Sequence, residues 1–382
     1  MSLRQRYYYT TASLFEQSID VYEPSLGSDD TQHSSESKPV VLLVVGSGWM
    51  GHQPFPYLLT SWWNSSGPKS VAQSLNTTCI CIRHRGSYFK SFFIDGFMVI
   101  LLLTLLIGYS YCYSSEKCNN PSLFDAQSDL AIVTSIFASM WFLWHWLAKG
   151  SATMTDMVED VENAVTFVKE NIDSIMGKKV GSNETKLVFG GYSSGGHVAA
   201  TMLSQNPQRW EQEFHGILYI SGVLAVRAGS IASLESKPRF LIDFVMRTVW
   251  GEQRTSIPSP IESRDVVPLP HLLIACRNEV FGLSILDIFL CSELYHEKLN
   301  QLHIPVLLRH VHSDHWFVLS SSTLRLALKE DMPKLLGYSK AKKGSDDTGG
   351  IFDPPPLRTI LSSTSSSGND SDERTHHTKV ET

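Results

Sequence analysis

The sequence has no excess of positive charge. Its 382 residues carry 32 Lys and Arg against 38 Asp and Glu, a formal net charge of -6. No basic stripe of the kind that follows a phosphate backbone is present, so nucleic acid is not an expected partner. Cysteine is scarce as well: six residues in a chain this long are too few for a disulfide scaffold. Cys79 and Cys81 lie one residue apart, and no second close pair or histidine pair completes four zinc ligands. There is no phosphate loop, so neither a metal nor a nucleotide cofactor is expected. The first residues, MSLRQRYYYTTASLFEQS, lack the apolar core of a secretory signal. What the chain does have is apolar side chain, 42% of residues against 18% charged, enough for a substantial core.

After an N-terminal extension (1–16), the chain alternates between apolar runs of two kinds. Ser18–Tyr22 alternates and stops at Pro24, as a strand does, and 25–38 is a polar loop. Val40–Val45 and Thr77–Ile82 are continuous apolar runs, the pattern of strands buried on both faces, with Cys79 and Cys81 packed inside the second. From Asp156 onward Met157, Val161, Ala164, Val165 and Val168 recur at helical spacing, with Glu159, Asp160, Glu162 and Lys169 between them. Strands then follow at Leu187–Phe189, Ile217–Ile220, Leu272–Ala275 and Val306–Leu308, with a helix from Val198. Strands alternating with helices imply an α/β fold with a mostly parallel central sheet covered on both faces. Residues 223–265 exceed an ordinary crossover and are read as a cap. The tail, 339–382, is rich in Ser, Thr, Gly, Asp and Pro and is expected to be disordered.

Two stretches nearly devoid of charge interrupt this pattern, within an insert spanning 88–150. Residues 92–113 hold only Asp95, and 130–148 hold none. Each is about 20 residues long, the length that crosses a hydrocarbon core, and neither shows a polar stripe. The expectation is a two-helix transmembrane hairpin. Strands of one sheet flank the insert, so the chain must leave the bilayer on the side it entered. Arg83, Arg85, Lys90 and Lys149 flank the spans, while the tip carries Glu116, Asp125 and Asp129 against Lys117. The positive-inside rule then puts the folded domain in the cytoplasm. Cys112 and Cys118 at the tip could pair in an oxidising lumen, and the endoplasmic reticulum is the expected membrane.

The residues that carry chemistry centre on Gly191-Tyr192-Ser193-Ser194-Gly195, directly after one strand and directly before a helix. This is a G-x-S-x-G nucleophile elbow in its strand–turn–helix setting, with Ser193 as nucleophile. The Ser194 amide, at the helix N-terminus, faces a developing oxyanion. A second donor belongs on the loop after an earlier strand, where Gly46-Ser47-Gly48-Trp49-Met50-Gly51 offers the amides of Gly48 or Trp49. The chain order nucleophile, acid, histidine puts the acid after Leu272–Ala275: Glu279, with Asp287 as alternative. The base must follow the last strand, and His310, His312 and His315 all do on this pattern. His315, ahead of an apolar segment, is preferred and His312 is the alternative.

Taken together these residues resemble the α/β-hydrolases, and within them the esterase group of isoprenylcysteine methylesterases and kynurenine formamidases. The segments that carry the likeness are Ile19–Pro24, Gly46–Trp49, Asp160–Val165, Gly191–His197, Leu294–Leu299, Ile304–Val306 and His315. They span about 17–337 apart from the insert, that is, domain parts 17–87 and 151–338. Departures are visible. Val45-Gly46-Ser47 stands where the group has His-Gly-Gly, and Ala275–Glu279 stands where it has His-Gly-x-x-Asp. His312-Ser313-Asp314 resembles the group's His-Thr-Asp, which would make His312 the base. The resemblance implies a serine esterase acting on a hydrophobic ester, with a prenylcysteine methyl ester as candidate substrate, and the two apolar spans add membrane lipid as an expected partner. Leu241, Ile242, Phe244 and Val245 in the cap are then candidate prenyl contacts. The alternatives are an arylformamidase, or an inactive hydrolase serving as a membrane binding module.

Overall fold

A computed structural model describes residues 3–12, 14–24, 38–49, 67–87, 103–104, 135, 139, 152–177, 185–226, 250, 256–276, 292–313, 315 and 317–344. Its strands are β1 (Leu3–Tyr8), β2 (Ser18–Tyr22), β3 (Val40–Val44), β4 (Cys79–Ile82), β5 (Leu187–Tyr192), β6 (Gly216–Ile220), β7 (His271–Cys276) and β8 (Val306–Val311). They form one eight-stranded sheet in the order β1-β2-β4-β3-β5-β6-β7-β8. β2 pairs antiparallel with β1 and with β4, and every pairing from β4 to β8 is parallel.

The sheet is buried on both sides because its central strands are apolar at successive positions. Side chains alternate across the pleat. Leu42, Val44, Phe189 and Ile217 enter one core with Met157, Val161 and Val165 of the helix Met154–Glu170. Val41, Leu43, Val188 and Leu218 enter a second, with Leu324, Leu328 and Leu335 of the helix Ser322–Gly344. Cys79 and Cys81 are buried in that second core.

The helix Met154–Glu170 starts where its chemistry dictates. The Thr153 hydroxyl accepts from the Asp156 amide, and the Asp156 carboxylate accepts from the Thr153 amide at 2.7 Å. All five residues expected at helical spacing are buried. One charge expected among the solvated positions is not: Asp160 is fully buried. Its carboxylate accepts from the Arg85 amide at 2.8 Å, from Arg85 Nε at 2.9 Å and Nη2 at 2.9 Å, and from Gln17 Nε2 at 2.7 Å. A buried carboxylate is tolerated when paired in this way, and spacing along one helix cannot show a partner 75 residues away.

Three departures from the sequence expectation change the reading of a segment. The N-terminal extension is part of the sheet, since Leu3–Tyr8 pairs with β2. Its Leu-Arg-Gln-Arg opening hides the strand from a hydropathy pattern, and Arg6 reaches across to the buried Asp20 at 2.7 Å. The last strand runs to Val311, so His310 lies within it, 3.6 Å from Glu293, and of the three candidates His312 and His315 follow. As an edge strand, β8 is half-exposed, which admits Arg309 and His310. The final helix runs through 339–344, six positions into the expected tail, where Lys and Ala favour helix by intrinsic propensity.

Other expectations fall outside the described residues: the insert spans apart from Leu103, Thr104, Ser135 and Ser139, Cys112 and Cys118, most of the cap with Leu241, Ile242, Phe244 and Val245, and the tail from 345. Among the described residues no helix is long and apolar enough to cross a membrane.

Candidate active site

The parallel strands deliver their C-terminal ends to one edge of the sheet, where open α/β sheets bind ligands. At that edge Tyr192 ends β5, and the helix Ser194–Gln205 begins two residues later. Ser193 between them has φ 55° and ψ -131°, a left-handed conformation that costs an L residue about 1–3 kcal/mol. Backbone bonds hold it there: its amide donates to the Ile220 carbonyl at 3.2 Å, and its carbonyl accepts from Val223 at 2.9 Å. The small residues two positions either side are steric requirements. A Cβ at Gly191 would lie 2.5 Å from the Gly195 carbonyl, and one at Gly195 would run into the Val44 carbonyl.

The turn aims the Ser193 hydroxyl at His315, whose Nε2 lies 2.9 Å away. His315 is buried, and its position is set by Tyr192. The Tyr192 hydroxyl donates to the His315 carbonyl at 2.6 Å, and the two rings stack with centroids 5.3 Å apart. His312 is exposed. Of the expected acids, Glu279 and Asp287 both lie outside the described residues.

The loop after β3 passes directly over the nucleophile. A Cβ built on Gly46 would sit 2.5 Å from Ser193 Cβ and 3.1 Å from its Oγ. Gly48 and Trp49 both have positive φ, 61° and 63°. Trp49 is held from several sides. Its amide donates to Ser194 Oγ at 3.2 Å, its indole Nε1 donates to His197 Nδ1 at 2.9 Å, and its carbonyl accepts from the Ser87 amide at 2.7 Å. The Ser47 amide also donates to Ser194 Oγ, at 3.0 Å. Of the two loop amides expected to face an oxyanion, the one on Trp49 is thus engaged with the Ser194 hydroxyl.

Three residues of this arrangement were not singled out from sequence: Tyr192, the side chain of Ser194, and His197. All lie within the Gly191–His197 segment, so proximity to the nucleophile was the available signal. His197 is fully buried, and that desolvation lowers its pKa to about 4. With Nδ1 accepting from Trp49, its proton is on Nε2, which donates to the Pro258 carbonyl at 2.7 Å. His271 is likewise buried and lowered to about 4, with Nδ1 donating to Leu269.

These two imidazoles predict acid sensitivity. A histidine whose folded pKa lies below the unfolded value of 6.5 is neutral when folded, so between pH 6.5 and pH 4 the unfolded chain binds more protons. Stability therefore falls as pH drops through that window. At pH 5 each group should cost about 2 kcal/mol relative to pH 7.5. Urea unfolding at the two pH values should show it, and an unchanged midpoint would contradict the neutral pair.

No family model and no curated protein sequence matches the chain. Among solved structures it is similar to an inhibited esterase B from Lactobacillus rhamnosis, with TM-score 0.51 and 11% identity, over 90% of this chain and 89% of that one. A carboxyl esterase 2 from Tuber melanosporum aligns with TM-score 0.47 and 13% identity over 85% and 82%. An esterase from Pyrobaculum calidifontis gives 0.45 and 15% over 86% and 80%. The likeness to the first is one of fold, and that fold is the α/β-hydrolase fold.

Proposed function

We propose that this chain is a membrane-anchored serine carboxylesterase acting on a hydrophobic ester. The observation that carries the reading is the strained Ser193 with its hydroxyl 2.9 Å from His315 Nε2, under a glycine-bearing loop and at a helix N-terminus. In this mechanism His315 takes the Ser193 proton as Oγ attacks the ester carbonyl. The amides of Ser194 and Gly48 receive the oxyanion. His315 returns the proton to the departing alkoxide, and water, activated by the same imidazole, cleaves the acyl-enzyme. Glu279 is the acid assigned to orient His315, with Asp287 as the alternative.

The membrane part of the reading rests on the two apolar runs of the insert, and two hydrogen bonds hold the residues that flank it. The Ala152 amide donates to the Gly86 carbonyl at 2.9 Å, which clamps together the chain on either side of the insert. Next to it, Ser87 donates to Trp49. The described residues on either side of the insert, Gly86, Ser87 and Ala152, are thus tied together beside the loop that carries Trp49. The resemblance makes a prenylcysteine methyl ester the first substrate to test. The flanking charges put the hydrolase on the cytoplasmic side, with the endoplasmic reticulum as the proposed membrane.

The test compares the protein in native membranes on a farnesylcysteine methyl ester and on N-formylkynurenine, alongside fluorophosphonate labelling. Labelling with at least tenfold preference for the lipid ester is expected. Preference for the formamide would replace the esterase by an arylformamidase, and folded protein that never labels would leave an inactive binding module.

A further inference from the structure

The residue after the nucleophile carries a side chain that touches the covering loop. Ser194 is buried, and its Oγ accepts two amides at once, Ser47 at 3.0 Å and Trp49 at 3.2 Å. Those amides bracket Gly48, the loop residue assigned to the oxyanion. Both Gly48 and Trp49 are in the left-handed region, so the bend between them carries backbone strain at Trp49 that some contact must offset. The Trp49 indole reaches the same helix one turn further on, at His197. The helix that presents the nucleophile thus grips the loop twice, by a hydroxyl acting on its backbone and an imidazole acting on its side chain.

We propose that the Ser194 hydroxyl is a positioning residue for the oxyanion loop: by accepting the Ser47 and Trp49 amides it fixes the bend that sets the Gly48 amide relative to Ser193. The inference rests on the esterase reading for its kinetic consequence, but not for the clamp itself. A hydroxyl does this where a methyl cannot, since it supplies two lone pairs to two donors. It touches no substrate atom. Its effect should therefore be smaller than loss of a direct oxyanion donor, which costs about 10²–10³ in kcat. It should fall on the charged transition state and spare the neutral ground state.

The experiment uses the full chain in native-like membranes, as wild type, Ser194→Ala and Ser194→Thr. Amide hydrogen exchange of the segment 46–49 comes first because it needs no activity. The Ser47 and Trp49 amides should exchange at least about tenfold faster in the alanine variant and near the wild-type rate in the threonine variant. Equal exchange in all three would overturn the clamp. On a short p-nitrophenyl ester, Ser194→Ala should lower kcat about 10- to 30-fold with KM within twofold. It should weaken an alkyl boronic acid, which mimics the oxyanion, by the same factor, and Ser194→Thr should recover most of both. An unchanged or raised kcat in the alanine variant would overturn the positioning role. A wild type that hydrolyses no ester while the exchange result holds would instead count against the esterase reading.

Discussion

Replacing Ser193 by alanine should lower kcat on any ester substrate by at least about 10⁴-fold and abolish fluorophosphonate labelling. His315→Ala should do the same, and the double variant should be no worse than either single one, because the two groups act in one proton transfer. The expectation follows from the 2.9 Å contact between Ser193 Oγ and His315 Nε2 on the strained elbow. His312→Ala is the discriminating control. That side chain is exposed, and the Ser193 hydroxyl meets His315, so its removal should change kcat less than about threefold. Loss of activity in His312→Ala with retention in His315→Ala would reverse the assignment. A further variant separates chemistry from folding: Ser193→Gly relieves the positive φ of 55° and should unfold at a higher denaturant midpoint than Ser193→Ala while remaining inactive.

The largest loss of stability is expected from Asp160→Ala. Its fully buried carboxylate accepts from the Arg85 amide, the Arg85 guanidinium and the Gln17 amide, three attachments drawn from two segments remote in sequence. Truncation leaves the buried Gln17 group and the Arg85 amide without their acceptor. Arg85 itself, 32% exposed, can still turn toward water, which places the cost near the lower end of the range for a broken buried pair, about 3 kcal/mol. Asp156→Ala, whose carboxylate is 37% exposed, should cost only about 1 kcal/mol through the lost helix cap. Chemical denaturation of the two variants checks the ranking. If Asp160→Ala falls within about 1 kcal/mol of wild type, Asp160 does not hold the 83–87 segment. Because Ser87 in that segment holds the Trp49 carbonyl, Asp160→Ala should also lower kcat more than KM.

The α/β alternation was legible because burial on both faces of a parallel sheet demands unbroken apolar strands, and few other structures make that demand. The elbow was legible for a local reason as well: a turn so tight excludes side chains at Gly191 and Gly195 whatever the rest of the chain does. Where local pattern misled, long-range pairing was the cause. Asp160 reads as a solvated helix position until Arg85 and Gln17 meet it, and Leu3–Tyr8 has no strand pattern until β2 and the Asp20 carboxylate supply partners for its backbone and for Arg6.

By itself the sequence determined the alternation of strands and helices from Ser18 onward, the elbow at Ser193, and the short list of histidines from which a partner could come. These follow from hydropathy period, turn sterics and chain order, all of which act over a few residues or along one dimension. Only the tertiary structure decided among the histidines, by setting His315 on the ring of Tyr192 and at Ser193 while leaving His312 exposed. It alone turned the hydroxyl of Ser194 toward two loop amides, and joined Gly86 to Ala152, the residues flanking the insert, beside Trp49. Each of those outcomes depends on atoms brought within about 3 Å by the folding of segments up to about 150 residues apart, and hydrogen bonds are decided at that range.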